Sequence, residues 1–277
     1  MSQYKFIEVE SPVPNVCRIA LNRPEKRNAL SNRLRSELFD AVRKADQDPE
    51  IGALVVYGRG KCFSSGYDLA QSADEDFPRY VSPGEGQWAR HLVDGWFEMW
   101  DLSIPIIAQV HGYCLAGGSE LATACDLVYV ADDAQIGYPP VRAMTSPDFA
   151  FHPWVMGMRN AMEMLLTGDS ISGTEAVQMG FANRAYSAAT LEQEVLAIAS
   201  RVAKIPRALT TLNKRVVHRA MEIMGARAAL RSATDINALC FHQPSTRAYY
   251  ERIRENLKGA LDERDGKFGD YRTADKK

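Results

Sequence analysis

The sequence contains no uninterrupted apolar run close to the roughly 18 residues that a membrane-spanning helix needs. Its most apolar stretch, Ile104 to Leu115, is broken by Pro105, Gln109 and His111, so no membrane partner is expected. It also lacks an excess of either charge. There are 33 Lys and Arg against 35 Asp and Glu, a formal net charge of −2, with the basic residues scattered along the chain. Nucleic-acid binders gather Lys and Arg into a patch or stripe, and the absence of one argues against a nucleic-acid partner. Cysteine is scarce and odd in number: Cys17, Cys62, Cys114, Cys125 and Cys240, mostly in apolar contexts. The first residues, Met1 to Phe6, carry no basic stretch leading into an apolar one. The expectation is a cytoplasmic chain with reduced, buried thiols, not a disulfide framework. No Cys-x-x-Cys or His-x-x-x-His spacing points to a metal.

Three familiar motifs are missing as well. The run from Val55 to Cys62 ends in Gly60-Lys61 but has no leading glycine and no Ser or Thr after the lysine, so it is not a phosphate-cradling loop. No glycine-x-glycine-x-x-glycine joins an early strand to a helix. Gly117-Gly118-Ser119-Glu120-Leu121 has Leu121 where a serine nucleophile elbow needs its closing glycine. Dinucleotide, P-loop and serine-hydrolase chemistries are thereby set aside.

What remains is an ordinary globular composition over 277 residues, 46% hydrophobic and 25% charged. Strands are predicted over 5–9 and 16–21, joined by a turn through Ser11-Pro12-Val13-Pro14-Asn15. An amphipathic helix is predicted from Ser31, its N-cap, to Asp46, with Leu34, Leu38, Ala41, Val42 and Ala45 on one face. Strands over 53–57, 106–110 and 127–131 alternate with glycine turns and helices. The polar run 71–86 reads as a loop or lid, and a helix bearing Trp88, Trp96, Phe97 and Trp100 follows it, as core or as the wall of a pocket. Capping boxes are expected at Ser172-Gly173-Thr174-Glu175 and Thr190-Leu191-Glu192-Gln193. Beyond residue 200 the pattern is nearly all helix, which divides the chain into an α/β core over 1–200 and a helical region over 201–277. The last dozen residues are charged and read as frayed.

Two glycine turns carry the chemistry. Gly117-Gly118 opens a predicted helix, where backbone N–H groups lack acceptors within the helix and the helix dipole favours an anion. Ser65-Gly66-Tyr67-Asp68 makes a similar turn after a strand. Two amides converging on one oxygen would form an oxyanion hole. Glycine turns are also common as plain tight connections, and residue chemistry alone leaves both readings open.

Four segments bear on that choice. Ile19-Ala20-Leu21-Asn22-Arg23-Pro24-Glu25-Lys26-Arg27-Asn28-Ala29-Leu30, Cys62-Phe63-Ser64-Ser65-Gly66-Tyr67-Asp68-Leu69 and the run from His111 to Leu121 are three of them. The fourth is Leu165-Leu166-Thr167-Gly168-Asp169 with Ala176-Val177-Gln178-Met179-Gly180-Phe181-Ala182. In this order they resemble the crotonase (enoyl-CoA hydratase/isomerase) superfamily over roughly residues 5–260. The resemblance implies an α/β fold, a crotonase-like spiral of ββα units with a C-terminal helical trimerisation region, and a homotrimer or dimer of trimers. It implies an acyl-CoA substrate, with coenzyme A entering as part of that substrate and no separate cofactor. By position it makes Tyr67 and Gly117 the donors of the oxyanion-hole amides, with Gly118 beside them. It assigns Lys26, Arg27, Ala29, Ser65, Gly66, Asp68 and Leu69 to the stretch that meets coenzyme A. It makes Glu120 one of two glutamates that activate water across the α,β double bond, which implies an enoyl-CoA hydratase-like lyase.

The second glutamate is absent. Ala134-Gln135-Ile136-Gly137-Tyr138 leads to Pro139-Pro140, and Pro140 has no side chain able to move a proton. The following stretch, Met144 to Trp154, is also shorter than the family pattern. Asp148 and His152 are the candidates to compensate, as acid/base groups or, for Asp148, as a nucleophile. Each also has a plain reading, Asp148 as a helix cap and His152 as a packed residue. The alternatives to hydration are therefore isomerisation, thioester or C–C hydrolysis and dehalogenation, or acyl-CoA binding on a weakly active scaffold.

Overall fold

The computed structural model describes residues 4–70 and 87–269, with side chains in the second span from residue 92 on. Residues 71–86, read as a loop or lid, the side chain of Trp88 and residues 270–277 lie outside the described residues. The chain opens with β1 (Ile7–Val13) and β2 (Val16–Leu21), an antiparallel hairpin. Its turn is tighter than expected: β1 continues through Ser11, Pro12 and Val13, and only Pro14-Asn15 lies between the strands. Pro12 is tolerated there because β1 is an edge strand, and the register shifts between Glu10 and Val13.

After the hairpin come α1 (Asn32–Gln47), β3 (Ala53–Gly58), α2 (Gln87–Asp101), β4 (Ile106–Val110), β5 (Tyr113–Leu115), α3 (Gly117–Ala124), β6 (Leu127–Ala131) and β7 (Gln135–Gly137). They are followed by α4 (His152–Thr167), β8 (Ser170–Ser172), α5 (Gly173–Gln178) and β9 (Arg184–Tyr186). Helices α6 (Leu191–Ala203), α7 (Arg207–Ile223), α8 (Ala226–Phe241), α9 (Pro244–Glu255) and α10 (Leu257–Gly266) complete the described chain. The main sheet has the order β1-β2-β3-β4-β6-β9, parallel from β2 onward. A small second sheet, β5-β7-β8, stands beside it. Strands β2 and β3 are buried at every residue, as parallel strands covered on both faces must be. This is the mixed α/β architecture expected.

The local signals are met unevenly. Ser31 caps α1, its hydroxyl accepting from the Leu34 amide at 3.2 Å. The capping box at Ser172 and Glu175 forms in full. The box expected at Thr190 does not: Thr190 sits in helical backbone, and its hydroxyl bonds Ser187 instead. Trp96, Phe97 and Trp100 are core residues, with Trp96 edge-on to Phe39 at 5.3 Å. Helix α10 falls within the region read as helical beyond residue 200, and most of the last dozen residues, read as frayed, lie outside the described residues.

Two loops from different sheets meet in the middle of this frame. The turn after β3 pairs Ser64 with Cys114 and Tyr67 with Leu30. Its backbone is held by Asn28, whose buried side chain accepts from the Arg23 amide and donates to the carbonyls of Arg59 and Cys62.

Candidate active site

Gly66 brings the two glycine turns into contact. It adopts φ +101°, a conformation that L side chains rarely take. A Cβ there would lie 2.8 Å from the Ala116 Cβ, 2.9 Å from the Leu115 carbonyl oxygen and 3.3 Å from the Gly117 nitrogen. The Ser65–Tyr67 turn is thus packed directly on the start of α3. On the other side Ala116, at φ +52° and ψ −123°, turns β5 abruptly into α3. A non-glycine residue in such a region costs on the order of 1–3 kcal/mol, which the surrounding packing must offset. The Ser119 and Glu120 amides return to the Ala116 carbonyl. Gly117 and Gly118, opening α3, have no acceptor for their N–H groups within the helix, as in the first turn of any helix.

A cavity of about 250 Å³ opens at this junction. Lys26, Arg27, Ala29, Ser65, Asp68 and Leu69 line it, all singled out from the sequence. Gly66 and Gly118 are not lining residues; both are buried in the contact between the turns, Gly118 against Ser64. Asp68 is engaged by Arg23 at 2.8 Å, and the same guanidinium nitrogen donates to the Ala29 carbonyl. Asp68 therefore braces the turn that Arg27 and Ala29 occupy. The far wall comes from the C-terminal helices, with Phe241, Tyr250, Leu257, Leu261, Arg264 and Asp265. The helical region expected beyond residue 200 thus contributes to the same cavity as the α/β core.

At the cavity floor lies a cluster of acids and phenols. Glu120 is fully buried on α3. Its Oε1 accepts from the Tyr138 hydroxyl at 2.8 Å and from the Asp148 amide at 2.9 Å. Its Oε2 accepts from the Tyr67 hydroxyl, which itself accepts from Trp96 Nε1 at 3.2 Å. Asp148 is 2% exposed and its Oδ1 has no hydrogen-bond partner. The Arg35 guanidinium reaches in from α1, buried, 5.4 Å from the Tyr67 ring centre.

Burial raises the pKa of Glu120 above the ordinary 4.5, while hydrogen bonds from Tyr67, Tyr138 and the backbone of Phe149 and Asp148 work against that rise. Burial, then repulsion from Glu120, hold Asp148 well above the ordinary 3.8, with Arg35 only partly offsetting them. Glu120 is surrounded by donors that stabilise its anion; the orphan Oδ1 of Asp148 receives none. The donors around Glu120 thus favour its anion, while the burial of Asp148 beside it favours the neutral acid there.

His152 lies elsewhere. It is fully buried at the start of α4 and does not line the cavity. Its Nε2 is 3.1 Å from the Ser119 hydroxyl, which donates to the Ala116 carbonyl, so the hydroxyl accepts from a protonated Nε2. Nδ1 has no partner, and burial pushes the imidazole pKa down to about 4. Pro140 does line the cavity, where it offers no proton-transfer group. Tyr138, Arg35 and the hydroxyl of Tyr67 were not singled out from the sequence. Tyr138 precedes Pro139-Pro140 on the strand-end that faces Glu120, and only the three-dimensional contact marks it.

Residues 13–263 match the family model described as enoyl-CoA hydratase/isomerase. The chain belongs to this family. With it the chain joins the crotonase-type acyl-CoA enzymes. It is 32% identical over 207 residues to a probable enoyl-CoA hydratase of Mycobacterium leprae, covering 74% of this chain and 78% of that one. It is 30% identical over 271 residues to a mitochondrial enoyl-CoA hydratase of Pongo abelii, covering 97% and 88%. Its fold superposes on an enoyl-CoA hydratase of Mycobacterium smegmatis with a TM-score of 0.88 at 29% identity, covering 97% and 96%. No described helix is long and apolar enough to cross a membrane.

Proposed function

We propose that this family member is an enoyl-CoA hydratase-like lyase in which Asp148 takes the place of the missing second glutamate. The observation that carries the reading is the apposition of Glu120 and Asp148 at the cavity floor, beside the contact between Gly66 and Gly117. The amides of Tyr67 and Gly117 form the oxyanion hole for the thioester oxygen of a 2-enoyl-CoA. Lys26, Arg27, Ala29, Ser65 and Leu69 receive the coenzyme A portion at the cavity mouth. Glu120, as carboxylate, is the base that finally holds the proton lost by the attacking water as the water oxygen bonds the β-carbon. Asp148, as carboxylic acid, delivers a proton to the α-carbon of the enolate. One proton is taken up and one given, so the pair exchanges its charge and the enzyme is reset by proton transfer between neighbours.

The same electrostatics disfavour the dehalogenase reading, because a protonated Asp148 is a poor nucleophile. His152 is assigned to packing, since its pocket keeps it neutral and its bonded nitrogen faces Ser119. A trimer or dimer of trimers fits the apolar side chains exposed on α7.

Incubation with crotonyl-CoA tests the reaction. Wild-type protein should form 3-hydroxybutyryl-CoA, and Glu120→Gln should lose about 10²–10⁴-fold in turnover, the contribution of one general acid/base group. Unchanged hydration by Glu120→Gln would overturn the assignment.

A further inference from the structure

Glu120, the base of the proposed hydration, has no exposure to the cavity at all. Its accessible surface is 0%, and it is absent from the lining. Both its oxygens are occupied, Oε1 by Tyr138 and the Asp148 amide, Oε2 by Tyr67. A base in that state cannot take a proton from a molecule in the cavity unless one of its partners moves or relays. Among those partners Tyr138 is 1% exposed and Asp148 2%. All three line the cavity, but Tyr67 is the one that is partly exposed.

The Tyr67 ring is fixed over the start of α3. A Cβ added to Gly117 would lie 2.7–2.8 Å from three carbons of that ring, so the ring lies on the glycine itself. The phenol is thereby held between the proposed oxyanion amide of Gly117 and the carboxylate of Glu120, one helical turn further on. Trp96 Nε1 and the Arg35 guanidinium fix it from behind. Replacing Gly117 by any larger residue would displace this ring.

We propose that Glu120 acts through Tyr67: the Tyr67 hydroxyl is the catalytic group that meets the attacking water, and Glu120 is the base behind it. The step balances. As the water oxygen bonds the β-carbon, one water proton passes to the Tyr67 oxygen and the phenol proton passes to Glu120 Oε2. Asp148 gives its proton to the α-carbon, as in the hydratase reading on which this inference rests. Tyr67 ends the step as it began, a neutral phenol. The residue that supplies one oxyanion-hole amide thus also carries the proton path, which makes its side chain more than packing.

The test compares Tyr67→Phe, Glu120→Gln and chains carrying 3-fluorotyrosine or 3,5-difluorotyrosine at position 67. Two assays are run, hydration of crotonyl-CoA and exchange of the α-hydrogens of butyryl-CoA in D2O. Tyr67→Phe keeps the amide and the ring, yet turnover should fall by at least about 10²-fold with KM little changed. The fluorinated chains keep the hydroxyl, and their kcat should move in step with phenol acidity; a merely structural phenol would leave kcat flat. Tyr67→Phe at the wild-type rate beside an inactive Glu120→Gln overturns the relay and leaves the hydratase reading standing. Exchange without hydration in the wild type overturns the hydratase reading, and with it the relay of a water proton. Neither activity in the wild type overturns both.

Discussion

Single residues decide the chemistry, and the burial of two titratable side chains in and behind the site sets a pH dependence of stability that can be measured. Asp148 has its folded pKa raised, so between its unfolded and folded values the native state holds a proton that the unfolded chain has lost. Stability therefore falls as pH rises through that window and stays reduced above it. Asp148→Asn removes the titrating group, and thermal unfolding should show the variant more stable than wild type at pH 7, with the gain vanishing below about pH 4. A lower Tm for Asp148→Asn at pH 7 would contradict the burial argument. His152 has the opposite sign. Its folded pKa, about 4, lies below the ordinary 6.5, so the unfolded chain binds the extra proton. Stability should drop as pH falls from 6.5 to 4, by up to about 3 kcal/mol at 1.36 kcal/mol per unit. In His152→Phe or His152→Gln that part of the acid sensitivity should be gone. Residues were also where the sequence was least legible. Glu120 and Asp148 were visible as candidates, but Arg35 and Tyr138 join them only across elements 85 and 18 positions from Glu120. His152, equally prominent in sequence, turns its bonded nitrogen to Ser119, and no local pattern distinguishes a buried neutral histidine from a catalytic one.

Among the elements, the decisive contact is that between the Ser65–Tyr67 turn and the first turn of α3. Gly66→Ala would place a Cβ at positive φ and 2.9 Å from the Leu115 carbonyl. The substitution should destabilise the fold by on the order of 1–3 kcal/mol. It should also lower kcat disproportionately, because the Tyr67 and Gly117 amides would separate; losing one such donor costs about 10²–10³-fold. Denaturant unfolding and crotonyl-CoA turnover on the same sample distinguish the two effects, and an active, merely destabilised Gly66→Ala would count against the oxyanion hole. Element boundaries were largely readable because periodicity and caps are local. Ser31 and the Leu34, Leu38, Val42 stripe define α1, and Ser172 with Glu175 starts α5. The misreadings have physical causes. Pro12 was taken for a turn because an edge strand, which tolerates proline, cannot be identified without its neighbours. Thr190 offers the right residue in the wrong backbone conformation. Helix α10 lies inside the region read as helical, but that its Leu257, Leu261 and Arg264 line the cavity is a matter of packing that no local pattern shows.

For the whole molecule, α7 suggests how copies associate. One side is pinned to the sheet: Lys214 is buried, 2.9 Å from Asp126, which His218 also meets at 3.2 Å. The other side exposes Leu209, Leu212, Val216 and Ile223, an i, i+3, i+7 stripe left open to solvent in the single chain. Exposed apolar stripes of this kind mark association surfaces. Light scattering should find three or six chains per particle, and Leu212→Glu with Val216→Glu should shift the particle toward one chain; a monomeric wild type would refute the trimer. Scale also joins the helical region to the chemistry, since Phe241, Tyr250 and Leu257 close the cavity that Tyr67, Tyr138 and Asp148 line in front of Glu120.

In the proposed hydration Asp148 supplies the proton which Pro140 cannot. The most direct measurement is the steady-state hydration of crotonyl-CoA by wild type and Asp148→Asn at pH 7. In the variant kcat should fall by about 10²–10⁴-fold while KM changes little. Asp148→Asn hydrating crotonyl-CoA at the wild-type rate would contradict it.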